Sequence, residues 1–214
     1  MSRRIVPLDG VGTGPRGRTF LYAFPRIDED FTKLGIARDP MVRLQAFSPR
    51  YYDFFDLDQG WLVEAESVRE ARAWETHWKR VLRSHAAPAP LLVPVQAGGH
   101  TEWFRGAAAQ LQHARADLAA QGFQVHAPLS NWVREQLSPW RDQLDGLERS
   151  LVSQLGAVET WPAAWAHPFL SALRDALDAC SVLSLSLDDV VSPELRVWLR
   201  RNSLSPSHDR EPLT

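Results

Sequence analysis

The sequence predicts an α+β fold: a small mixed three-stranded sheet with flanking helices over residues 19–106, followed by a mainly α-helical C-terminal module over residues 107–202. Three observations predict it. The first half holds short aromatic and apolar segments of strand length, each bounded by Pro or by a polar turn. Segments whose apolar residues recur at helical spacing are interleaved with them. From Ala107 onward the strand pattern gives way to long helical stretches punctuated by Gly122, Pro128, Gly156, Pro162 and Pro193.

Residues 1–18 are rich in Gly, Pro and Arg and read as a flexible lead-in. Thr19-Phe20-Leu21-Tyr22-Ala23-Phe24 reads as a strand ended by Pro25, and Asp28-Glu29-Asp30 as a polar turn. Phe31 to Ala37 returns as a second strand, giving a hairpin. Asp39-Pro40 has the form of a helix start, with Asp39 as N-cap and Pro40 at the first helical position. That helix carries Met41, Val42, Leu44 and Phe47 and stops near Ser48-Pro49. Gly60 to Ala65 is the third strand. Ser67 caps a longer helix reaching about Ser84, with Glu70 at the capping-box position. Its apolar stripe is Val68, Ala71, Trp74, Trp78, Val81 and Leu82. A Pro-rich loop from Pro88 to Pro94 leads to His100-Thr101-Glu102-Trp103-Phe104-Arg105. Helices are then expected at 107–120, 130–155, 162–179 and 193–201, with room for a short strand at 123–126 and a disordered tail at 203–214.

Composition bounds the function. With 214 residues, 44% of them hydrophobic, the chain can bury a core. Its one cysteine excludes an internal disulfide, and Cys180, inside Ala179-Cys180-Ser181-Val182-Leu183, reads as a small core residue. No run approaches the ~18 apolar residues of a membrane span, and no apolar stretch follows the Arg pair at the start, so a cytoplasmic location is expected. The formal net charge of −2 excludes a protein that is basic all over. The charge is uneven: residues 1–106 hold 15 Lys and Arg against 13 Asp and Glu, and the remainder 9 against 13. A nucleic-acid surface therefore belongs in the first half, as a local patch. The seven His residues show no metal-ligand spacing, which argues against zinc, and no phosphate-cradling glycine loop is present.

The candidates for chemistry lie on the first two strands and the first two helices. Phe20-Leu21-Tyr22 places a Tyr on the first strand, and ten residues separate it from Lys33-Leu34-Gly35 on the second. Arg43 follows eight positions beyond Gly35, on the first helix, and Glu75 lies on the second helix. In this order, on these elements, they resemble the GIY-YIG nuclease superfamily across residues 19–106. Thr101-Glu102-Trp103-Phe104-Arg105 resembles the end of the phage-associated branch, in which Lys commonly stands at the second Tyr position, as Lys33 does here. The chain departs from the pattern in placing Phe20 at the first Gly, Phe47 where His or Tyr is frequent past the Arg, and Lys79 where a His often follows the helical Glu.

The resemblance implies a metal-dependent endonuclease that hydrolyses phosphodiester bonds of nucleic acid, with DNA the expected substrate. Glu75 would hold one Mg²⁺ (or Mn²⁺), Arg43 would bind a phosphate oxygen through its planar fork, and Tyr22 would orient or deprotonate the attacking water. An ordinary phenol has a pKa near ~10, so Tyr22 needs a neighbouring cation to act as a base, for which Lys33 is the candidate. Gly35 would let the backbone approach substrate with no Cβ in the way. Arg38, Arg50, Arg69, Arg72, Arg80 and Arg83 are candidates for tracking phosphates, and Tyr51 and Tyr52 for stacking on bases.

Each residue also has a plainer reading: Tyr22 as strand packing, Arg43 as a solvated helix residue, Glu75 as an i, i+4 partner of Lys79, Glu102-Trp103-Phe104 as aromatics closing the core. The departures motivate an alternative function, a nucleic-acid-binding or interaction protein that keeps the fold and has lost cleavage. The acidic C-terminal module, with Trp132, Trp140, Trp161, Trp165 and Trp198, suits packing, docking to a protein partner or self-association rather than DNA.

Overall fold

The computed structural model describes residues 18–205; most of the lead-in and of the tail expected from sequence lies outside them. Six strands form one sheet: β1 (Thr19–Pro25), β2 (Phe31–Ala37), β3 (Trp61–Ala65), β4 (Ala86–Ala87), β5 (Trp103–Arg105) and β6 (Val125–His126). Their order is β4-β5-β2-β1-β3-β6, and every neighbouring pair is antiparallel. The expected mixed sheet of three strands is thus corrected to an antiparallel sheet of six. Of the three further strands, β6 falls within the short strand allowed at 123–126, whereas β4 and β5 are two and three residues long, too short for alternation to reveal.

The local signals at helix starts are realised. In α1 (Pro40–Phe47) the Asp39 carboxylate accepts from the Val42 N–H at 3.0 Å, with Pro40 in the first turn. In α3 (Val68–Val81) the Ser67 hydroxyl accepts from the Glu70 N–H at 3.1 Å, and Glu70 reaches back to the Glu66 N–H. Between them lies α2 (Tyr51–Phe54), a single turn that the sequence reading passed over.

The second half contains α4 (Ala108–Ala120), α5 (Leu129–Arg141), α6 (Leu144–Leu155), α7 (Pro168–Val182) and α8 (Pro193–Asn202). The expected helix at 130–155 is two helices: α5 holds Pro139, whose ring supplies no N–H to the helix ladder, and ends two residues later. The expected helix at 162–179 begins only at Pro168, after a short 3-10 turn at Ala164–Ala166.

Side chains on β1 alternate between two cores. Phe20, Tyr22 and Phe24 face one, built with α1, α2, Trp103, and Leu129, Trp132 and Val133 of α5. Leu21 and Ala23 face the other, built with Trp61, Val63, Phe104 and the Leu111–Ala114–Leu118 stripe of α4, with Trp74 and Trp78 of α3 packed against it. A third core joins α6, α7 and α8. Helix α7 gives Ala179 to the first core and Leu173, Leu177 and Cys180 to the third. The boundary expected between 106 and 107 falls inside continuous packing, because α4, β6 and α5 all complete the sheet unit. Of the tryptophans beyond residue 106, Trp132, Trp161 and Trp198 are buried, Trp161 and Trp198 meeting edge to face, and Trp165 is exposed. No helix among the described residues is long and apolar enough to cross a membrane.

Candidate active site

The hairpin register builds the site. Tyr22 pairs with Gly35 and Phe24 with Lys33, and direct partners in an antiparallel ladder share a face, so Tyr22, Gly35 and Lys33 all point to the first core. The Tyr22 ring lies stacked on Phe24 with centroids 4.1 Å apart. Its hydroxyl accepts a 2.9 Å hydrogen bond from Arg43 Nε on α1. The Arg43 guanidinium also covers the Phe47 ring at 4.3 Å and donates from Nη1 to the Ala97 carbonyl at 2.5 Å.

Lys33 is fully buried. Its ammonium donates to Glu102 Oε2 at 2.5 Å, to the Gly99 carbonyl at 3.0 Å and to the Leu34 carbonyl at 3.3 Å. The other Glu102 oxygen takes Lys79 Nζ at 2.6 Å, and Lys79 in turn lies 3.0 Å from Glu75 Oε1, one helical turn back on α3. Gly99, with φ +65°, is where these strands of the network meet: a Cβ there would lie 2.6 Å from Glu102 Oε2, 2.7 Å from Lys33 Nζ and 3.0 Å from Arg43 Nη2. Tyr22, Lys33, Arg43 and Glu75, spread over four elements, thus belong to one cluster with Lys79 and Glu102.

Burial and charge set the protonation states. Burial pushes the Tyr22 phenol up to about 12; Arg43 pulls the other way and loses. Tyr22 is therefore a neutral hydroxyl near pH 7. Burial brings the Lys33 ammonium down to about 8, against the partial support of Glu102. Burial alone would raise Glu102, yet the hydrogen bonds from Lys33 and Lys79 outweigh it and hold the carboxyl below its ordinary value. For Lys79, burial acts downward and the bonds to Glu102 and Glu75 outweigh it, so it stays firmly charged.

Several expectations are revised. The cation beside Tyr22 is Arg43, because the register sends Lys33 toward Glu102 instead. The room above Gly35 is taken by Tyr22 itself: a Cβ there would lie 2.6 Å from its hydroxyl oxygen, so Gly35 serves ring packing rather than substrate approach. Arg50 is not on a free surface; it binds Asp53, Asp175 and Asp178, the last fully buried, and ties α2 to α7. Tyr51 and Tyr52 are buried, and the Tyr52 hydroxyl donates to the Asp175 carbonyl at 2.9 Å, so neither is placed to stack on a base. Arg38, Arg69, Arg72, Arg80 and Arg83 are exposed, the last four along α3 and the turn after it.

Glu102 is the residue that sequence reasoning undervalued, having been read as part of a core-closing run. The signal that could have found it is the scarcity of lysine: the chain has only Lys33 and Lys79, against 22 arginines, and both bind Glu102. The metal expectation meets an obstacle in the donor set. The Glu75 carboxylate is already engaged by Lys79, and no group of three His, Cys, Asp or Glu among the described residues is placed to hold an ion. A divalent cation at Glu75 would share that carboxylate with the Lys79 ammonium and find no further carboxylate free of lysine in the cluster, so the residues present do not compose a ready site for it. Comparison of the chain with family models, curated proteins and solved structures gives no match.

Proposed function

We propose that the protein is a GIY-YIG-like endonuclease that binds nucleic acid, DNA in the first instance, through its phosphodiester backbone and hydrolyses it. The observation that carries this reading is the convergence of Tyr22, Lys33, Arg43 and Glu75 at the β1–β2 hairpin, from four separate elements. A chance pattern in the sequence gives no reason for these side chains to gather around one loop and one chain of ion pairs.

The chemistry follows from the protonation states. Arg43 and Lys33 donate to the carbonyls of Ala97 and Gly99, positions that phosphate oxygens would take over. Tyr22, neutral and held by Arg43, orients rather than deprotonates. Water attacks phosphorus and the bond to the leaving oxygen breaks. Lys33, whose ammonium is the cluster's acid closest to neutral, gives the leaving oxygen its proton. The proton of the attacking water goes to Glu75, the carboxylate held by one ammonium where Glu102 is held by two. The exposed arginines of α3 extend a basic track beside the cluster.

A second reading, binding without cleavage, is favoured by one observation: Arg43 and Lys33 are occupied by backbone carbonyls of a single loop and Tyr22 is no base. Incubation with single- and double-stranded DNA in Mg²⁺, Mn²⁺ or EDTA separates the two. The endonuclease reading expects cleavage by the wild type that is lost in Glu75→Gln and reduced in Tyr22→Phe. Binding with no cleavage under any condition gives the second reading; neither binding nor cleavage removes both.

A further inference from the structure

We propose that the Lys79 ammonium occupies the seat of a divalent cation, so that this site takes up a phosphodiester without metal. The inference rests on the reading of the cluster as a phosphodiester site. Lys79 lies 3.0 Å from Glu75 and 2.6 Å from Glu102, one carboxylate on its own helix and one on the segment entering β5. It therefore does what a bridging ion would do: it joins two carboxylates from separate elements and neutralises charge between them. An ammonium has three donors. The Lys79 ammonium donates to Glu102 and stands in ion-pair contact with Glu75, which leaves it donor capacity for a phosphate oxygen.

The use of lysine supports this. Everywhere else the chain supplies positive charge with arginine, and its two lysines both end on Glu102. A compact ammonium sits between the two carboxylates as a point charge, as a small cation would. The charge balance agrees. Lys33, Arg43 and Lys79 face Glu75 and Glu102, leaving one net positive charge opposite the single negative charge of a phosphodiester. A divalent ion added at Glu75 would sit among ammoniums it repels, unless Lys79 left.

The test reads metal and DNA separately. Mn²⁺ uptake is followed by the electron paramagnetic resonance of the free ion, for the wild type, Lys79→Met and Lys79→Met with Glu75→Gln. The expected result is no stoichiometric uptake by the wild type, one Mn²⁺ bound by Lys79→Met, and loss of that ion in the double variant. Fluorescence anisotropy of a labelled single-stranded oligonucleotide is then read in EDTA and in Mg²⁺. Wild-type binding should be the same in both, and Lys79→Met should weaken it in EDTA by about tenfold or more, the loss of one charge-assisted hydrogen bond. Lys79 is half-exposed, and a thermal melt checks that each variant folds. One Mn²⁺ bound by the wild type and lost in Glu75→Gln would overturn the proposal. So would a Lys79→Met variant that binds no Mn²⁺, or one that binds DNA in EDTA as well as the wild type. If the wild type binds no DNA at all, the reading of the cluster as a phosphodiester site fails, whereas the Mn²⁺ results still decide whether Lys79 holds the cation seat.

Discussion

Adding one methyl group at Gly35 tests the packing on which the whole cluster stands. An alanine Cβ would lie 2.6 Å from the Tyr22 hydroxyl oxygen, 2.8 Å from its Cζ and 3.4 Å from Cε1. Unstrained contacts between carbon atoms lie at about 3.5–4.0 Å, so the ring must move by most of an ångström. It has little freedom to do so: Tyr22 is 1% exposed, stacks on Phe24, and is tied to Arg43. Strand β2 cannot yield easily either, because β1 and β5 pair with it on both sides. Overpacking of this kind costs ~1–3 kcal/mol. Displacing the ring also breaks a hydrogen bond to a charged group, worth ~1.5–3 kcal/mol. A combined loss of ~2.5–6 kcal/mol corresponds to a fall in Tm of roughly 5–24 °C for a chain of this length. Calorimetry or urea unfolding measures it. Tyr22→Phe removes both the worst contact and the hydrogen bond that the methyl would break, so Gly35→Ala should cost ~1.5–3 kcal/mol less in that background than in the wild type. Equal costs in the two backgrounds would refute the assignment of the space to Tyr22. A stable Gly35→Ala protein that no longer binds DNA would return Gly35 to the role of admitting substrate.

Three further outcomes are expected. Lys33 has an ammonium brought down to about 8, so from about pH 8 to 10 the unfolded chain binds more protons than the folded one, and stability should rise with pH by up to ~1.4 kcal/mol per unit relative to Lys33→Met; urea unfolding of both proteins at pH 8, 9 and 10 checks this, and a relative fall would contradict it. Arg50→Ala removes the cation of fully buried Asp178 and loosens α2 from α7, so it should cost ~3 kcal/mol, in the range of a broken buried pair, while oligonucleotide binding stays at the wild-type level; weakened binding with unchanged stability would restore Arg50 as a phosphate contact. Cys180 is buried, with its thiol pushed up to about 11 by that burial, so it should react with a disulfide reagent only as the protein unfolds; fast labelling of the folded protein would place it on an open surface.

What was legible in the sequence is what short-range chemistry writes. The β1–β2 hairpin shows in two aromatic runs around Asp28-Glu29-Asp30, and the starts of α1 and α3 show in Asp39-Pro40 and Ser67, because a cap and its partner are three residues apart. The gathering of Tyr22, Lys33, Arg43 and Glu75 was visible only as a pattern of spacing. What was not legible depends on partners far along the chain. Glu102 acquires its place from Lys33, 69 residues earlier, and no local rule distinguishes it from any Glu before two aromatics. Arg50 looked like a surface cation because Asp175 and Asp178 stand on α7, 125 and 128 residues away. Tyr51 and Tyr52 did carry a warning, since Tyr51-Tyr52-Asp53-Phe54-Phe55 is apolar enough to demand burial, and a run of four aromatics in five residues suits a core better than a nucleic-acid surface.

The contacts of the cluster form two runs joined by the Ala97–Gly99 backbone, and this decides how its members act. Gly35 makes room for Tyr22, Tyr22 accepts from Arg43, and Arg43 donates to Ala97. Two residues on, Gly99 accepts from Lys33, which binds Glu102, which binds Lys79, which binds Glu75. The loop from Val95 to Thr101 is therefore not a bystander: its carbonyls at Ala97 and Gly99 occupy Arg43 and Lys33. Gly98 and Gly99 both hold positive φ, a backbone path that L side chains rarely follow. Carbonyl oxygens are weaker partners for a guanidinium and an ammonium than anionic oxygens are. On the proposed phosphodiester reading, an incoming phosphate would compete with the loop on favourable terms and would release both carbonyls together, because one short segment carries them. Effects of substituting Tyr22, Arg43, Lys33 and Glu102 should accordingly fail to add, since each residue is held in place by the next.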